Sequence, residues 1–253
     1  PLTFDFALDI GAAGNQLPLQ KAYYVSVDSP RDPFTGQLLP GRYVLRSWLN
    51  DVKPPTISLL SKRIARGRHT LVARVTDAGS GVDPLSLTIA YQGVLLGASD
   101  YDPVSGLALF GMPTQAPTLK GPIQNATMIA YDYQETKNIN VTGPDIMPNT
   151  AFKPVKIRAV VGPAVTWVLP EMNRCVPKTA RLVVAASSTT KISAVQFYDG
   201  KRRIGVKRKA VADLYFVDWK NAKAKKGKHV LRAVVVAARG KRASATRSVR
   251  VCK

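Results

Sequence analysis

The chain has 253 residues, 45% of them hydrophobic and 21% charged, a composition typical of a globular protein rather than a disordered one. Its longest unbroken apolar runs, such as residues 233–238, are far shorter than the roughly 20 residues of a membrane-spanning helix. Of the net charge of +21, residues 162–253 carry +18 (22 Lys and Arg against 4 Asp and Glu), and residues 1–161 carry +3 (15 against 12). One third of the chain is therefore a polycation, which bears on its partners more than on its fold.

Short β-branched segments of alternating polarity recur along the chain, bounded by Gly, Pro, Asn or Asp, and this pattern is typical of β-strands. Helical periodicity is almost absent. We predict strands at residues 3–10, 23–27, 43–50, 56–60, 70–76, 86–90, 107–110, 126–133, 155–161, 165–169, 181–186, 194–198, 214–217, 230–237 and 246–251. Their spacing predicts an all-β protein made of β-sandwiches.

Two proline-containing breaks, Lys53-Pro54-Pro55 and Gly162-Pro163, predict domain boundaries. The three predicted domains are a partial or small β segment at 1–53, a sandwich at 54–161 and a basic sandwich at 162–253. Because the chain begins with Pro1 rather than Met, we expect a processed product or a fragment of a longer protein.

Three of the strands are entered through a glycine, a basic residue and a ring: Gly41-Arg42-Tyr43, Gly67-Arg68-His69 and Gly227-Lys228-His229. We interpret this as a strand-entry motif in which the ring hydrogen-bonds upstream backbone, as in a tyrosine corner.

At these and neighbouring residues the chain resembles the bacterial immunoglobulin-like (Ig-like) modules found in tandem on secreted and surface proteins. The matching residues are 195–201, 215–219 and 227–231 in the last segment, and 54–57, 75–84 and 101–103 in the middle one. The middle pattern also resembles modules that trail secreted subtilisin-like proteases. The resemblance implies tandem Ig-like β-sandwiches, which serve as spacers, adhesins or appendages of exported enzymes. Arg239-Gly240-Lys241-Arg242 departs from the Asp- and Thr-rich turns of the family.

The two cysteines, Cys175 and Cys252, are separated by 77 positions and lack the CxxC spacing or nearby histidines of a zinc or redox site. We predict a disulfide that ties the start of the last domain to its final strand, worth about 4 kcal/mol on the chain-entropy model. A structural disulfide indicates an oxidising compartment, so we expect an extracellular or cell-surface location.

No catalytic motif is present in the sequence: it lacks a nucleophile elbow, a zinc-protease helix, a phosphate loop and a dinucleotide fingerprint. His69 and His229, the two candidate bases, fall in different segments. Asp77, Asp83, Asp100 and Asp102 could form a calcium site if two turns met, but aspartates are common in turns and the spacing is not that of an EF-hand. We predict no catalytic residue, no cofactor and no metal.

Aromatic residues of the last segment are candidates for stacking on sugars or bases. The family pattern instead places Trp167 and Trp219 in the core between the sheets. Tyr198 lies one position from Phe197, and thus on the opposite face of the strand, so it is the better candidate for an exposed ring.

Basic residues of the last segment form two clusters that we assign to loops at one end of the sandwich, with the hairpin at 239–242 at the other end. Eleven cations concentrated at one end would hold a polyanion. The predicted anion-binding residues are Lys201, Arg202, Arg203, Lys207, Arg208, Lys209, Lys220, Lys223, Lys225, Lys226 and Lys228.

These observations favour a non-enzymatic, exported bacterial array whose basic C-terminal domain attaches to an anionic cell-envelope or extracellular polymer, or to another surface protein. Nucleic acid is disfavoured because no nucleic-acid-binding fold is recognisable and the disulfide argues against the cytoplasm. Two alternatives stay open: an accessory C-terminal region of a secreted hydrolase such as a subtilisin-like protease, and a self-assembling subunit of a surface fibre.

Overall fold

The computed structural model describes residues 35–37, 51, 53–133 and 149–252. The strands predicted at residues 3–10, 23–27 and 43–50, and with them almost all of the predicted segment 1–53, lie outside these ranges.

Nine strands precede residue 161. They are β1 Thr56–Leu59, β2 Arg63–Ala65, β3 Leu71–Thr76, β4 Thr88–Tyr91, β5 Val94–Gly97, β6 Asp100–Asp102, β7 Leu107–Phe110, β8 Ile123–Tyr131 and β9 Thr150–Val160. Eight more follow within the described part of the chain: β10 Ala164–Leu169, β11 Cys175–Val176, β12 Thr179–Ser187, β13 Ile192–Asp199, β14 Arg202–Lys207, β15 Leu214–Lys220, β16 Gly227–Ala237 and β17 Arg242–Val251.

The strands before residue 161 form the first sandwich, in which a four-stranded sheet of order β1-β3-β7-β6 faces a five-stranded sheet of order β2-β9-β8-β4-β5. The strands after residue 161 form the second sandwich, with sheets of order β10-β12-β15 and β11-β17-β16-β13-β14. In each, a short second strand pairs parallel to the last strand, and all other pairs are antiparallel. This shared order is that of Ig-like sandwiches, so the predicted all-β, tandem Ig-like fold is confirmed.

Alternation of buried and exposed residues builds the core of each sandwich. In β15, Tyr215, Val217 and Trp219 are buried between the sheets, whereas Phe216 and Asp218 face outward. The core position predicted for Trp219 and Trp167 is confirmed. Burial of the Trp167 indole leaves no polar atom unsatisfied there, because its Nε1 donates to the carbonyl of Ala245 at 3.0 Å.

A separate apolar cluster joins the two sandwiches. Val72 of β3 packs against Val168, Val183 and Ala185 of the three-stranded sheet, with Leu107 and Leu109 beside them. The cluster therefore joins the outer face of the four-stranded sheet to the outer face of the three-stranded sheet.

Polar contacts reinforce this junction. The amide of Ala65 donates to Ser187 Oγ at 2.8 Å, and the amide of Thr70 donates to Asp213 Oδ2 at 2.9 Å. The five-stranded sheet of the second sandwich takes no part in the apolar cluster. The predicted domain limits at residues 53 and 161 stay a proposal.

The disulfide between Cys175 and Cys252, with an S–S distance of 2.07 Å, links β11 to the end of β17 as predicted. No helix among the described residues is long and apolar enough to cross a membrane.

Candidate anion-binding surface of the second sandwich

One end of the second sandwich gathers two basic connections. β13 ends at Asp199 and turns through Gly200, whose φ of +56° suits glycine, into β14. β15 ends at Lys220 and continues through residues 221–226 into β16. Because Asp199 is paired with Leu231, near the start of β16, both connections lie at this end, together with the disulfide. We call it the distal end.

Eight of the eleven predicted anion-binding residues lie at the distal end, and all eleven are exposed. The eight are Lys201, Arg202, Arg203, Lys220, Lys223, Lys225, Lys226 and Lys228.

Lys207, Arg208 and Lys209 do not join them, and this corrects the prediction that all eleven share one end. The segment from Arg202 to Lys207 is a strand that pairs with β13, with Arg202 opposite Asp199 and Lys207 opposite Val195. Five residue steps of strand carry the chain about 17 Å away from the distal end. The following loop leads to Asp213, which contacts the first sandwich.

His229 fixes the shape of the distal end. Its Nδ1 lies 3.0 Å from both carboxylate oxygens of Asp199, and its Nε2 lies 2.7 Å from the carbonyl oxygen of Lys225. The ring also packs edge-on against Trp219, with centroids 5.6 Å apart. The predicted contact of this ring with upstream backbone is confirmed, and it ties the loop at 221–226 to the end of β13.

Protonation of His229 is favoured by this setting. Burial by itself lowers the pKa of the imidazole, but the Lys225 carbonyl and the Asp199 carboxylate outweigh burial and raise the pKa above its usual value. Both ring nitrogens then act as donors, so the imidazolium both closes the loop and adds positive charge. Asn221 holds the same loop, since its Nδ2 donates to the carbonyl of Pro177 at 2.7 Å.

Each carboxylate of the second sandwich has a bonding partner outside this set of cations. Asp199 faces His229, Asp218 accepts from Arg181 Nε at 3.0 Å, and Asp213 accepts from Thr70. The hydrogen bond from Arg181 lowers the pKa of Asp218, and the nearby charges of Lys207 and Lys220 lower it further. Burial tends to raise the pKa of Asp213, but the nearby His69 ring and the hydrogen bond from the Thr70 amide lower it overall. None of the eleven predicted cations forms an ion pair with a residue in the described ranges.

Glu171, the fourth acidic residue of this segment, lies at the junction between the sandwiches. One carboxylate oxygen is 3.3 Å from Arg74 Nη1 and the other is 3.3 Å from Arg174 Nε. Its carboxylate therefore also pairs with arginines that are not among the predicted anion-binding residues.

Two further cations, Arg232 and Arg250, extend the basic surface onto the outer face of the five-stranded sheet. Arg232 of β16 lies over the ring of Tyr198 at 4.7 Å, and the Tyr198 hydroxyl donates to Gln196 Oε1 at 2.7 Å. Tyr198 is therefore a half-buried ring capped by a guanidinium rather than an open platform. Arg232 was not among the predicted site residues, although it lies four positions after Lys228 and so on the same strand face.

Phe216, unlike the half-buried Tyr198, is an exposed ring of this sandwich, at 37% exposure. Arg181 lies 5.2 Å and Lys207 5.7 Å from its centroid. This ring too is covered by cations.

The carboxylates considered for calcium are not brought together as the sequence suggested. Asp77 instead meets Asp51 and Asp132, with ligand oxygens within 4.8 Å of one another. Asp83 caps the turn at 84–86, and Asp102 accepts from Val104 and Ser105. Three carboxylates provide oxygen ligands of the kind that calcium takes, but fewer than the six to eight that it needs.

An open cleft of about 400 Å³ lies between the sandwiches, lined by Arg68, His69, Thr70, Met112 and Asp213, among others. His69 Nδ1 is 3.7 Å from Asp213 Oδ2. Asp213 also receives the Thr70 amide, so this histidine–carboxylate pair serves the contact between the sandwiches.

No protein-family model matches the chain, and no curated protein matches its sequence. Among solved structures, the chain is similar to the fibronectin(III)-like modules of CbhA from Clostridium thermocellum, with 27% identity, a TM-score of 0.31, and coverage of 35% of this chain and 94% of that one. It is also similar to dimeric latent PorU from Porphyromonas gingivalis, with 16% identity, a TM-score of 0.46, and coverage of 79% of this chain and 20% of PorU.

A third similar structure is the BSP domain of a biofilm-associated protein, with 13% identity, a TM-score of 0.45, and coverage of 78% of this chain and 30% of that one. The chain thus spans about a fifth of the PorU structure and under a third of the BSP-domain structure. The Ig-like fold itself follows from the strand order of this chain.

Proposed function

We propose that this chain is a non-enzymatic Ig-like array of an exported bacterial protein, and that its second sandwich attaches to an anionic cell-envelope or extracellular polymer. The observation that carries the proposal is the set of eight exposed cations at the distal end, none of them ion-paired within the described residues. Such a surface has a high positive potential and attracts polyanions.

The distal end is also suited to binding because its loop is held in shape. His229 and Asn221 tie residues 221–226 to neighbouring strands, so the lysines of this loop lose little backbone entropy on binding. Eight exposed charge contacts of about 0.5 kcal/mol each would sum to about 4 kcal/mol, or about a thousandfold in affinity. Salt screens such contacts, so binding should weaken steeply with ionic strength.

An extracellular location is part of this proposal. The disulfide between Cys175 and Cys252 supports it, since structural disulfides persist in oxidising compartments. The same bond closes the chain at the distal end and stabilises the sandwich that carries the basic surface.

Retention of the full chain on immobilised heparin, eluted with a salt gradient, tests the proposal. The triple variant Lys223→Gln, Lys225→Gln and Lys226→Gln removes three distal charges and should elute at clearly lower salt. The control Lys153→Gln, Lys156→Gln and Arg158→Gln removes three exposed charges from β9 of the first sandwich and should elute like wild type. Equal shifts for both variants would mean that only net charge matters and would overturn the proposal.

A structural role is a second candidate, favoured by the apolar junction between the sandwiches. Two Ig-like units packed in this way form a stiff support rather than a flexible spacer, as an assembly subunit or an accessory region of a hydrolase would need. Light scattering over a range of concentrations tests the assembly form, since a mass that stays monomeric up to high concentration contradicts self-assembly.

A further inference from the structure

We infer that the outer face of the five-stranded sheet of the second sandwich recognises an acidic polysaccharide, whose carboxylate or sulfate groups bind the guanidinium groups of Arg203, Arg232 and Arg250. The inference rests on the proposed function, because it names the class of polymer and extends its binding site from the distal loops onto a sheet face. Carboxylate and sulfate groups are both oxyanions, and each can accept a pair of hydrogen bonds from one guanidinium group.

Strand register places these residues on one face. Tyr198 of β13 pairs with Arg203 of β14 on one side and with Arg232 of β16 on the other. Directly paired residues of neighbouring strands point to the same side of a sheet, and strands lie about 4.8 Å apart. Arg203 and Arg232 therefore flank Tyr198 and are separated by about 10 Å.

Arg232 is oriented before any ligand arrives. Its guanidinium carbon lies over the Tyr198 ring, 4.7 Å from the centroid, and the Tyr198 hydroxyl is anchored to Gln196. A guanidinium held over a ring by cation–π attraction has less freedom to move and keeps N–H donors available to a ligand. Less side-chain entropy is then lost when an oxyanion binds, which distinguishes Arg232 from a freely moving surface lysine.

A like-charge pair lies nearer the distal end of the same face. Lys228 of β16 and Arg250 of β17 are directly opposed in the register, and both are exposed. Like charges that face each other across strands destabilise a sheet. A polyanion laid over the face would remove this repulsion, so the pair favours a ligand-binding role.

Carboxylates are absent from this face in the described part of the chain. Asp199 is the one acidic residue of the five strands, and its carboxylate is directed to His229. The first sandwich does not cover the face either, because it packs on the three-stranded sheet. The surface is thus open, basic and continuous with the distal lysines.

A polysaccharide fits this surface better than a nucleic acid. Single-stranded nucleic acids bind by stacking bases on open aromatic faces next to a basic groove. The two Phe, Tyr or Trp rings of this sandwich that are not buried in the described ranges are the half-buried Tyr198 and the exposed Phe216. They are already covered by Arg232 and by Arg181 with Lys207. The side chains therefore favour binding by charge, without base stacking.

Three full-chain variants that each lose three positive charges test the inference. The face variant is Arg203→Gln, Arg232→Gln and Arg250→Gln. The loop variant is Lys223→Gln, Lys225→Gln and Lys226→Gln, and the matched control is the β9 triple Lys153→Gln, Lys156→Gln and Arg158→Gln. Affinity is measured in a binding titration against polygalacturonate, which carries carboxylates, heparin, which adds sulfates, an oligo-dT strand, and neutral dextran.

The face variant should bind polygalacturonate or heparin about tenfold more weakly than the β9 control, as expected from three lost charge contacts. A loss with polygalacturonate identifies carboxylate as the recognised group, and a loss confined to heparin identifies sulfate. If the loop variant loses affinity while the face variant matches the control, the proposed function stands and this inference is wrong. If neither variant differs from the control, both are wrong. Tighter binding to oligo-dT than to either polysaccharide would also overturn the inference.

Two single changes separate recognition from folding. Arg232→Lys keeps the charge but removes the fork and the stacked plane, so affinity for the acidic polysaccharide should fall although net charge is unchanged. Arg250→Thr removes the repulsion with Lys228, so its melting temperature should equal or exceed that of wild type while affinity falls. Unchanged affinity in both variants, with the fold intact by circular dichroism, contradicts the inference.

Discussion

The two sandwiches share one strand order but differ strongly in surface charge. Both pair a short second strand parallel to the last strand, and both close a sheet of three or four strands over one of five. Residues 54–161 carry 10 Lys and Arg against 7 Asp and Glu, a net of +3, whereas residues 162–253 carry a net of +18. The difference shows that buried alternation sets the fold, while exposed positions are free to carry charge.

Removing the disulfide should have the largest effect on stability, and it should affect the second sandwich rather than the first. The double variant Cys175→Ser, Cys252→Ser should lower the free energy of unfolding of the second sandwich by about 4 kcal/mol, because the closed loop of 77 residues is released. Urea unfolding followed by fluorescence, with Trp167 and Trp219 reporting from the second core, measures the loss. An unchanged unfolding midpoint would show that the bond does not stabilise this sandwich.

The junction between the sandwiches depends on a carboxylate. Asp213→Asn removes the negative charge of the side chain that accepts a hydrogen bond from the Thr70 amide and faces His69. The change should lower the free energy of unfolding by about 2 kcal/mol. Limited proteolysis should then cut near residues 161–163 faster than in wild type. The surface variant Asp218→Asn, whose partner Arg181 is exposed, is the control and should behave like wild type.

Acid should weaken the same junction. The pKa of Asp213 is lowered in the folded protein from 3.8, so its stabilising contribution is complete above about pH 3.8 and is lost as the pH falls through the folded value. Thermal unfolding of wild type and Asp213→Asn across acidic pH measures this. The two curves should converge as the pH falls, and a constant gap would contradict the role of the ionised carboxylate.

Replacing His229 should have the smallest effect on stability, and this effect should depend on pH in the opposite direction from that of Asp213. Because its pKa is raised from 6.5, its stabilising contribution is complete below about pH 6.5 and is lost as the pH rises through the folded value. His229→Gln should cost about 1 kcal/mol at pH 6 and less at pH 9. Heparin retention of wild type should fall over the same range, whereas retention of the variant should change little.

Sequence reasoning found the longer strands because their alternation is strong, and missed β2, β5, β6, β11 and β14. Four of these have only two to four residues, so alternation gives a weak signal there, although β1, β4 and β7, with four residues each, were predicted. β14 was missed because Arg202, Arg203 and Lys207 resemble a basic loop. Its strand character comes from backbone pairing with the adjacent strand β13, which the residue composition of the segment does not reveal.

The sequence by itself determined the all-β character, the core positions of Trp167 and Trp219, the cysteine pairing and the excess of positive charge in the last third. The all-β character and the charge excess depend on residue type and short-range alternation, which are local properties. The core positions of the tryptophans follow from the family resemblance, and the pairing follows because the chain has two cysteines. Tertiary structure alone decided where the charges lie: β14 carries Lys207 away from the distal end, and strand register brings Arg232 beside Tyr198. It also decided which sheet joins the two sandwiches, because contacts between distant segments depend on how whole sheets pack.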